Sequence, residues 1–317
     1  MQERLKENTM KETDVIIPVY KPTKKFFLLL DMLEKQTIPV NRIILINTEQ
    51  KYFDRLTAGT NFGQKYKNVT VEHISKREFD HGKTRNYGVS KSESPYFVMM
   101  TDDAVPADEH MLEALLEPLN GEQTGMSYAR QLPQTDCSVI ERYTRSFNYP
   151  RESRIKSSEN LQEMGIKAFF ASNVCAAYKR EVFDSLGGFI THTIFNEDMI
   201  FARKLLNAGY KIAYAADAKV IHSHNYSGAE QFKRNFDLGV SHAGHPEVFG
   251  GLPAESEGIR LVKKTGAYLF SIKKPWLIFK LVWQSGCKYA GYFLGKHYRR
   301  LPGKLLPLFS MNKDYWK

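Results

Sequence analysis

The sequence has few cysteines and lacks the glycine-rich motifs of the common nucleotide-binding folds. Its three cysteines, Cys137, Cys175 and Cys287, lie far apart and form no CxxC pair. This spacing argues against a zinc site and a disulfide framework and is typical of a reducing compartment. Neither GxGxxG nor GxxxxGK[ST] occurs, and residues 18–22 read Pro-Val-Tyr-Lys-Pro where a dinucleotide fold would place its glycines. The sequence therefore argues against a Rossmann dehydrogenase and a P-loop NTPase.

Long apolar runs are also missing. No stretch of about 18 uncharged apolar residues, the minimum that reads as a membrane-spanning helix, occurs in the chain. Residues 1–11 are charged and polar, so they cannot form the apolar core of a secretory signal, and we expect the body of the protein to remain in the cytosol. With 317 residues, 42% of them hydrophobic, the chain can build one large domain with an appendage.

The net charge of +10 is concentrated near the C-terminus. Residues 258–317 contain thirteen Lys and Arg against one acid, Asp314, and so carry +12, which leaves −2 for residues 1–257. The body is nearly neutral, and the charge pattern argues against a protein that binds nucleic acid over its whole surface. We therefore predict a body, 1–257, and a basic tail, 258–317.

Apolar strand-like runs alternate with helix-like segments through the body. The predicted strands are 14–19, 42–47, 69–74, 96–101 and 211–221, and the predicted helices are 24–36, 84–90, 109–117 and 199–208. In the first part of the chain this alternation is typical of βαβ units and a largely parallel sheet. The carboxyl ends of parallel strands share one edge, so we expect Tyr20, residues 47–49, residues 75–79 and the pair Asp102-Asp103 to face one nucleotide-sized crevice.

Asp102 and Asp103 directly follow the uncharged strand 96–101. Successive side chains of a strand alternate in direction, so one carboxylate can hold a divalent cation while the other contacts a polar group of a ligand. The alternative is a strand end followed by a polar turn, because Asp is a common turn residue.

A second acidic pair, Glu197-Asp198, opens the predicted helix 199–208, with Asn196 as its N-cap and Gly209 past its end. The two carboxylates either do chemistry or only complement the positive end of the helix.

Two further motifs carry ligating or charged side chains. His222-Ser223-His224 ends the strand 211–221, and neutral imidazole is a good ligand for Mn-like cations, although a histidine is by default structural. Lys83 and Arg85 follow Gly82 near a helix start, where they suit a diphosphate. Solvated surface charges are the alternative.

Together these residues resemble the family 2 glycosyltransferases of the GT-A fold, and within them the bacterial rhamnosyltransferases that build cell-surface polysaccharides. The resemblance covers about residues 13–226 and rests on the order and spacing of short motifs at 15–20, 79–86, 101–106, 171–173, 186–189, 197–198 and 220–224. The chain departs from the family at two places. Thr-Asp-Asp at 101–103 stands where many relatives have Asp-x-Asp, and Asn-Thr-Glu at 47–49 replaces an Asp-x-x-Ser-Thr-type turn.

The resemblance implies an α/β GT-A nucleotide-diphospho-sugar transferase fold with a mostly parallel central sheet and a C-terminal helical basic extension. The implied roles are the catalytic base for Asp198 with Glu197 beside it, a metal site for Asp103, His222 and His224, and nucleotide or diphosphate contacts for Pro18, Tyr20, Thr48, Glu49, Lys83, Arg85 and Asp102.

The activity that the resemblance implies is an inverting sugar transfer with Mn²⁺ or Mg²⁺ as cofactor. The favoured donor is dTDP-β-L-rhamnose, and the acceptor is a cell-surface glycan, carried on a polyprenyl lipid in one version of the hypothesis. A UDP-sugar transferase of the same fold and a non-catalytic scaffold that binds anionic polymers or membranes are the alternatives. A nucleotidyltransferase is disfavoured because no glycine-rich triphosphate loop is present.

Two polar or basic regions complete the prediction. In residues 267–298 aromatic and aliphatic side chains alternate with lysines, which predicts a helix pair on the cytoplasmic face of the cell membrane, with packing on the body or a homo-oligomer contact as alternatives. Residues 134–165 show no clear period and are predicted to be a long irregular excursion at the substrate mouth, or a solvated insertion.

Overall fold

The computed structural model describes residues 12–251 and 254–317. Its strands are β1 Thr13–Tyr20, β2 Ile43–Thr48, β3 Val69–Ile74, β4 Tyr96–Met100, β5 Val105–Pro106, β6 Thr124–Leu132, β7 Arg154–Lys156, β8 Cys175–Lys179 and β9 Lys211–Ile221. Its helices are α1 Lys25–Glu34, α2 Gln50–Thr57, α3 Phe62–Lys65, α4 His81–Ser90, α5 Met111–Leu116, α6 Val139–Asn148, α7 Leu161–Met164, α8 Arg180–Ser185, α9 Glu197–Asn207, α10 Gly228–Gly244, α11 Pro246–Phe249, α12 Ala254–Ser271, α13 Leu277–Lys296 and α14 Leu306–Phe309.

The strands form one nine-stranded sheet in the order β3-β2-β1-β4-β8-β6-β9-β5, with β7 paired to β9. Strands β3, β2, β1 and β4 are parallel, and β6 and β9 are parallel to each other, while β8 joins the two groups by antiparallel pairing. Most paired residues lie in parallel ladders, so the predicted mostly parallel sheet is confirmed. A crevice lies outside the carboxyl ends of β1 and β4. Here the chain leaves β1 toward β2 on one side of the sheet and leaves β4 toward the strands on the other side.

Both faces of the sheet are buried, because side chains alternate along each strand. In β1, Val15 and Ile17 pack into one apolar cluster with Leu45, whereas Ile16 packs into the opposite cluster with Phe97. This two-sided burial explains the nearly continuous apolar runs of the parallel strands.

The predicted elements begin and end within three residues of the observed ones. Two segments differ. The stretch after β2, where no helix was predicted, contains α2 and α3, of eight and four residues. The prediction that residues 134–165 are irregular is wrong over 139–148, because α6 forms there. The Ser138 hydroxyl caps this helix by accepting a hydrogen bond from the Glu141 amide.

The basic tail forms the predicted helix pair, α12 and α13, and α13 packs on α10 through glycines. A Cβ atom at Gly291 would lie 2.1 Å from the carbonyl oxygen of Phe232, and one at Gly295 would lie 2.1 Å from that of Phe236. The helix backbones therefore touch. The predicted boundary at residue 258 falls inside α12, so the division into two domains stays a prediction. No helix within residues 12–251 and 254–317 combines the length and hydropathy needed to cross a bilayer.

Candidate active site

Asp102 is held by the end of β1. The β1–β4 ladder stops at Ile16, and the next residue of β1 whose amide would face β4 is Pro18, which has no N–H. Two residues later, the Tyr20 amide donates instead to Oδ2 of Asp102 at 3.1 Å. Burial raises the pKa of Asp102 to about 7, and the neighbouring charge of Asp103 adds to this effect. The Tyr20 amide thus fixes Asp102 at the end of β1, and the predicted nucleotide contact of Pro18 stays a prediction.

Asp103 points away from Asp102, toward the end of β9. Its Oδ1 lies 3.5 Å from Nε2 of His222, and its Oδ2 lies 3.4 Å from Nε2 of His224. The two Nε2 atoms are 3.1 Å apart, and ligating atoms of all three residues lie within 4.8 Å of one another. Asp103 and the two histidines, which are far from it in sequence, therefore converge on one point.

Gln131 fixes the orientation and tautomer of His222. Its Oε1 accepts a hydrogen bond from the Arg145 guanidinium, which can only donate, so this atom is the amide oxygen. Nδ1 of His222 lies 3.0 Å from the same oxygen and must therefore carry the proton. The lone pair of His222 is left on Nε2, facing Asp103, which is the arrangement a metal-binding imidazole needs.

The two histidines are neutral near pH 7. Burial lowers the pKa of His222 to about 3 and also lowers the pKa of His224, although the Asp103 carboxylate opposes both shifts. One carboxylate and two neutral imidazoles form a donor set that suits a cation such as Mn²⁺. The cluster can therefore hold a divalent metal ion.

The second acidic pair is presented by a strained residue. Asn196 occupies the predicted N-cap position of α9, but its backbone is left-handed (φ 66°) and its side chain makes no capping hydrogen bond. The side-chain amide of Asn196 instead donates to the hydroxyl of Ser241, in α10, at 3.2 Å. The observed helix begins at Glu197, two residues before the predicted start. A left-handed asparagine fixed from a neighbouring helix sets the direction of Glu197 and Asp198.

Glu197 and Arg85 form a buried ion pair. The Arg85 Nε atom lies 3.2 Å from Oε1 of Glu197, which also accepts from the Asn173 side-chain amide at 3.1 Å. Burial favours the neutral acid, but the Arg85 charge, His81 and the Asn173 hydrogen bond together outweigh it and lower the pKa of Glu197. The Arg85 Nη1 atom donates to the His81 carbonyl at 2.9 Å. Arg85 thus pairs with Glu197, and the predicted contact of Arg85 with a diphosphate stays a prediction.

Asp198 has a different environment from Glu197. It is half-buried, and its carboxylate accepts from the backbone amides of Asn173 at 3.0 Å and Met199 at 2.8 Å. Burial and the adjacent negative charge of Glu197 raise the pKa of Asp198 to about 7. Of two adjacent acids, one is held ionised by an arginine and the other is poised to exchange a proton near neutral pH.

A cleft of about 290 Å³ opens beside these groups. Tyr20 and Thr48 line it, as predicted for a nucleotide site, and the Tyr20 ring meets Tyr52 edge to face at 5.7 Å. Sequence reasoning missed Arg234, whose guanidinium lies over the rings of Phe195 at 4.8 Å and Tyr226 at 5.8 Å. The residues that line the cleft are Tyr20, Thr48, Lys76, Phe79, His81, Ile194, Phe195, Tyr226, Arg234, Asp237, Met311 and Asn312.

Five of the seven residues predicted to contact the nucleotide or diphosphate lie outside that lining: Pro18, Arg85 and Asp102, described above, and Glu49 and Lys83. Glu49 has a left-handed backbone (φ 67°), and its carboxylate accepts from the Lys76 amide at 2.8 Å, which lowers its pKa. Lys83 is exposed, and its backbone amide donates to the Asp80 cap of α4 at 2.7 Å. Their nucleotide contacts stay predictions.

The C-terminal segment also reaches the cleft. The Met311 amide donates to Oδ2 of the buried Asp237 at 2.9 Å, and Asp314 pairs with Lys76 at 2.8 Å. No local pattern in the sequence indicates the first of these contacts, since it joins residues more than 70 positions apart.

Comparisons with known proteins agree with this geometry. Residues 14–187 match the family described as Glycosyl transferase family 2. The chain is 38% identical over 306 residues to O-antigen chain rhamnosyltransferase RfbN of Salmonella typhimurium strain LT2, and 39% identical over 307 residues to O-antigen chain rhamnosyltransferase WbaN of Salmonella anatum. Each alignment covers 95% of this chain and 95% of the relative.

Two solved structures share the fold. Mannosyltransferase PcManGT of Pyrobaculum calidifontis, in complex with GDP-Man and Mn²⁺, has a TM-score of 0.56 and 17% identity, over 96% of this chain and 84% of that one. S. aureus TarS 1–349 in complex with UDP-GlcNAc has a TM-score of 0.52 and 13% identity, over 91% of each chain. The sheet, the C-terminal helices and the family match agree, and the chain belongs to glycosyl transferase family 2, with the GT-A fold.

Proposed function

We propose that the protein is an inverting rhamnosyltransferase that extends a cell-surface polysaccharide. The observation that carries this proposal is the 38–39% identity to two O-antigen chain rhamnosyltransferases over nearly the whole chain. The site geometry supports it, because Tyr20, which holds Asp102, and His81, whose carbonyl accepts from Arg85, line the nucleotide-sized cleft. The favoured donor is dTDP-β-L-rhamnose.

The residues of the site divide the reaction between two faces of the sugar. Asp198, as a carboxylate, takes the proton of the acceptor hydroxyl while that oxygen bonds to the anomeric carbon. The bond from this carbon to the diphosphate breaks, and the diphosphate leaves with the electron pair. Direct displacement inverts the anomeric centre and needs no covalent intermediate. Glu197 stays ionised through Arg85 and keeps the pKa of Asp198 high enough for a base at neutral pH.

Asp103, His222 and His224 are the residues that would hold Mn²⁺ or Mg²⁺. Their donor set fits a cation of this kind, as the converging carboxylate and imidazole atoms indicate. When bound, the ion supplies positive charge to the departing diphosphate. Arg234 lies in the cleft with its guanidinium over two aromatic rings, and it is placed to contact the same diphosphate.

A donor panel tests the proposal. The purified protein would be given dTDP-rhamnose, UDP-sugars and GDP-sugars, with transfer and donor hydrolysis measured for each. We expect dTDP-rhamnose to be turned over fastest. Preference for a UDP-sugar would support the alternative transferase of this fold, and calorimetry without any nucleotide-sugar binding would support the scaffold alternative.

We also propose that the tail binds the cytoplasmic surface of the membrane that carries the acceptor. Trp276 and Phe279 are 62% and 84% exposed, and the exposed Lys273 and Lys274 accompany them. Exposed aromatic side chains beside lysines match the apolar and anionic layers of a lipid surface.

Vesicle binding tests this surface. The double variant Trp276→Ser/Phe279→Ser should sediment less with phosphatidylglycerol vesicles than the wild type does, while Leu308→Ser, an exposed apolar change elsewhere in the tail, should not. If these changes left vesicle binding intact and instead abolished self-association in analytical ultracentrifugation, the surface would be a homo-oligomer contact.

A further inference from the structure

A second cavity, of about 410 Å³, lies between α6, the start of α10 and α13. It adjoins the proposed reaction centre through two residues. His224 lines this cavity and also belongs to the cluster with Asp103, and Tyr226 lines both this cavity and the cleft that contains Tyr20. A ligand in the cavity would therefore lie next to the groups that transfer the sugar.

The cavity carries uncompensated positive charge. Lys280 and Lys288 of α13 line it, and neither forms a hydrogen bond or ion pair with a side chain that the structure describes, in 12–251 and 257–317. Glu141 is the one carboxylate among the described residues of the lining, and it already pairs with Arg145 at 2.8 Å. The 17-residue helix α10 begins at the cavity with Gly228, and Ser227 and Glu230 already cap its first turn, so the two lysines supply the positive charge of this wall. An anionic group is the ligand that this wall would stabilise.

The rim of the cavity offers an aromatic face. Trp283 lines it and rests against the start of α10, where a Cβ atom at Gly228 would lie only 2.7 Å from the indole Nε1. The indole nevertheless remains largely exposed. A flat, exposed indole next to side-chain donors and acceptors such as Gln284 and Asn225 suits a sugar ring, which has apolar faces and polar edges. Phe279 lies one turn away on the same helix.

We propose that this cavity binds the diphosphate of a lipid-linked acceptor, with Lys280 and Lys288 contacting the phosphate oxygens and Trp283 packing on the adjoining sugar. The inference rests on the proposed transferase function, because it needs a glycan carried on a lipid diphosphate. Phospholipid headgroups present the same phosphate chemistry. The acceptor is the better occupant because the cavity shares His224 with the reaction centre.

Binding of farnesyl diphosphate, a short polyprenyl diphosphate, tests the site without requiring turnover. We expect Lys280→Gln/Lys288→Gln to bind this probe at least about tenfold more weakly in calorimetry, because two charge-assisted contacts are lost. Lys304→Gln, which removes an exposed tail charge elsewhere, should bind as the wild type does. Unchanged dTDP-sugar binding by the double variant would show that it is folded. Equal affinity of the double variant and the wild type for farnesyl diphosphate would overturn the assignment.

Steady-state transfer kinetics test whether the bound diphosphate belongs to the acceptor. With a prenyl-diphosphate-linked sugar as acceptor, the double variant should show at least about a tenfold higher acceptor KM at unchanged donor KM. With a free sugar acceptor the variant and the wild type should be equal. A normal acceptor KM would contradict the cavity assignment and leave the proposed transferase function unaffected. Lysine-dependent probe binding in a protein that transfers no sugar would contradict the transferase function and leave the diphosphate site. Displacement of farnesyl diphosphate by phosphatidylglycerol vesicles would identify a headgroup site and overturn the acceptor assignment.

Discussion

At the residue scale, the site depends on adjacent side chains of one type placed in different surroundings. Asp102 accepts from the Tyr20 amide, while Asp103 faces two histidines. Glu197 and Asp198 differ in the same way, because Arg85 pairs only with Glu197. Neighbouring carboxylates repel each other's ionisation, so pairing one of them raises the pKa of the other.

Asp198→Asn should lower kcat by about 10²- to 10⁴-fold, because the amide cannot accept the acceptor proton. In the wild type the rate should rise with pH through about 7, since the base acts only when deprotonated and its pKa lies there. Asn keeps the size of the side chain, so donor binding by calorimetry serves as the folding control. A variant with the wild-type rate would remove Asp198 as the base.

Gln131→Leu should weaken Mn²⁺ binding by about 10- to 100-fold, although Gln131 would not touch the ion. The change removes the acceptor that keeps the proton of His222 on Nδ1, so the imidazole no longer reserves Nε2 for the metal. Calorimetric titration of Mn²⁺ measures the effect, with Asp103→Ala as the variant that loses a ligand outright. Full transfer activity in EDTA would contradict a metal role for the cluster.

At the element scale, the packing of α13 on α10 depends on glycines. A glycine inside a helix costs about 1 kcal/mol relative to alanine, so its presence at Gly291 needs a packing reason. The neighbouring carbonyl of Phe232 supplies that reason. The tail is therefore built onto the body through direct contact of two helix backbones.

Gly291→Ala should lower the free energy of unfolding by about 1–3 kcal/mol, because its methyl group would overlap the Phe232 carbonyl. Gly286→Ala, on the same helix with no described atom within 4 Å of the added carbon, should instead be neutral or stabilising by up to about 1 kcal/mol. Urea denaturation of both variants measures the difference. If Gly291→Ala were as stable as Gly286→Ala, the close contact of α10 and α13 would be wrong.

At the scale of the whole molecule, charge and exposed aromatic area are concentrated at one end of the chain. Residues 258–317 carry +12, whereas the site-bearing body is close to neutral. Exposed charges are screened within about 8 Å at physiological ionic strength. Attraction of the tail to anionic lipid should therefore depend strongly on salt.

Binding to phosphatidylglycerol vesicles should weaken steeply between low salt and about 0.5 M NaCl, while the part that Phe279 contributes by burial in lipid should persist. Sedimentation of wild type and Phe279→Ser across this range checks both parts. Binding without any salt dependence would contradict a role for the lysines.

The sequence by itself predicted five of the nine strands, the helices α1, α4, α5 and α9, and the tail pair α12 and α13, because apolar periodicity and punctuation such as Gly209 are local properties. It also indicated Asp103, Asp198, His222 and His224 as candidate site residues, since each follows or begins an element, and the structure brings Asp103 and the two histidines together. Only the tertiary structure decided the partners. It assigned Arg85 to Glu197, placed Gln131 behind His222, and brought Arg234, Met311 and the α13 lysines to the site. These contacts join residues far apart in the chain, and their energies depend on burial and distance, which no local pattern contains.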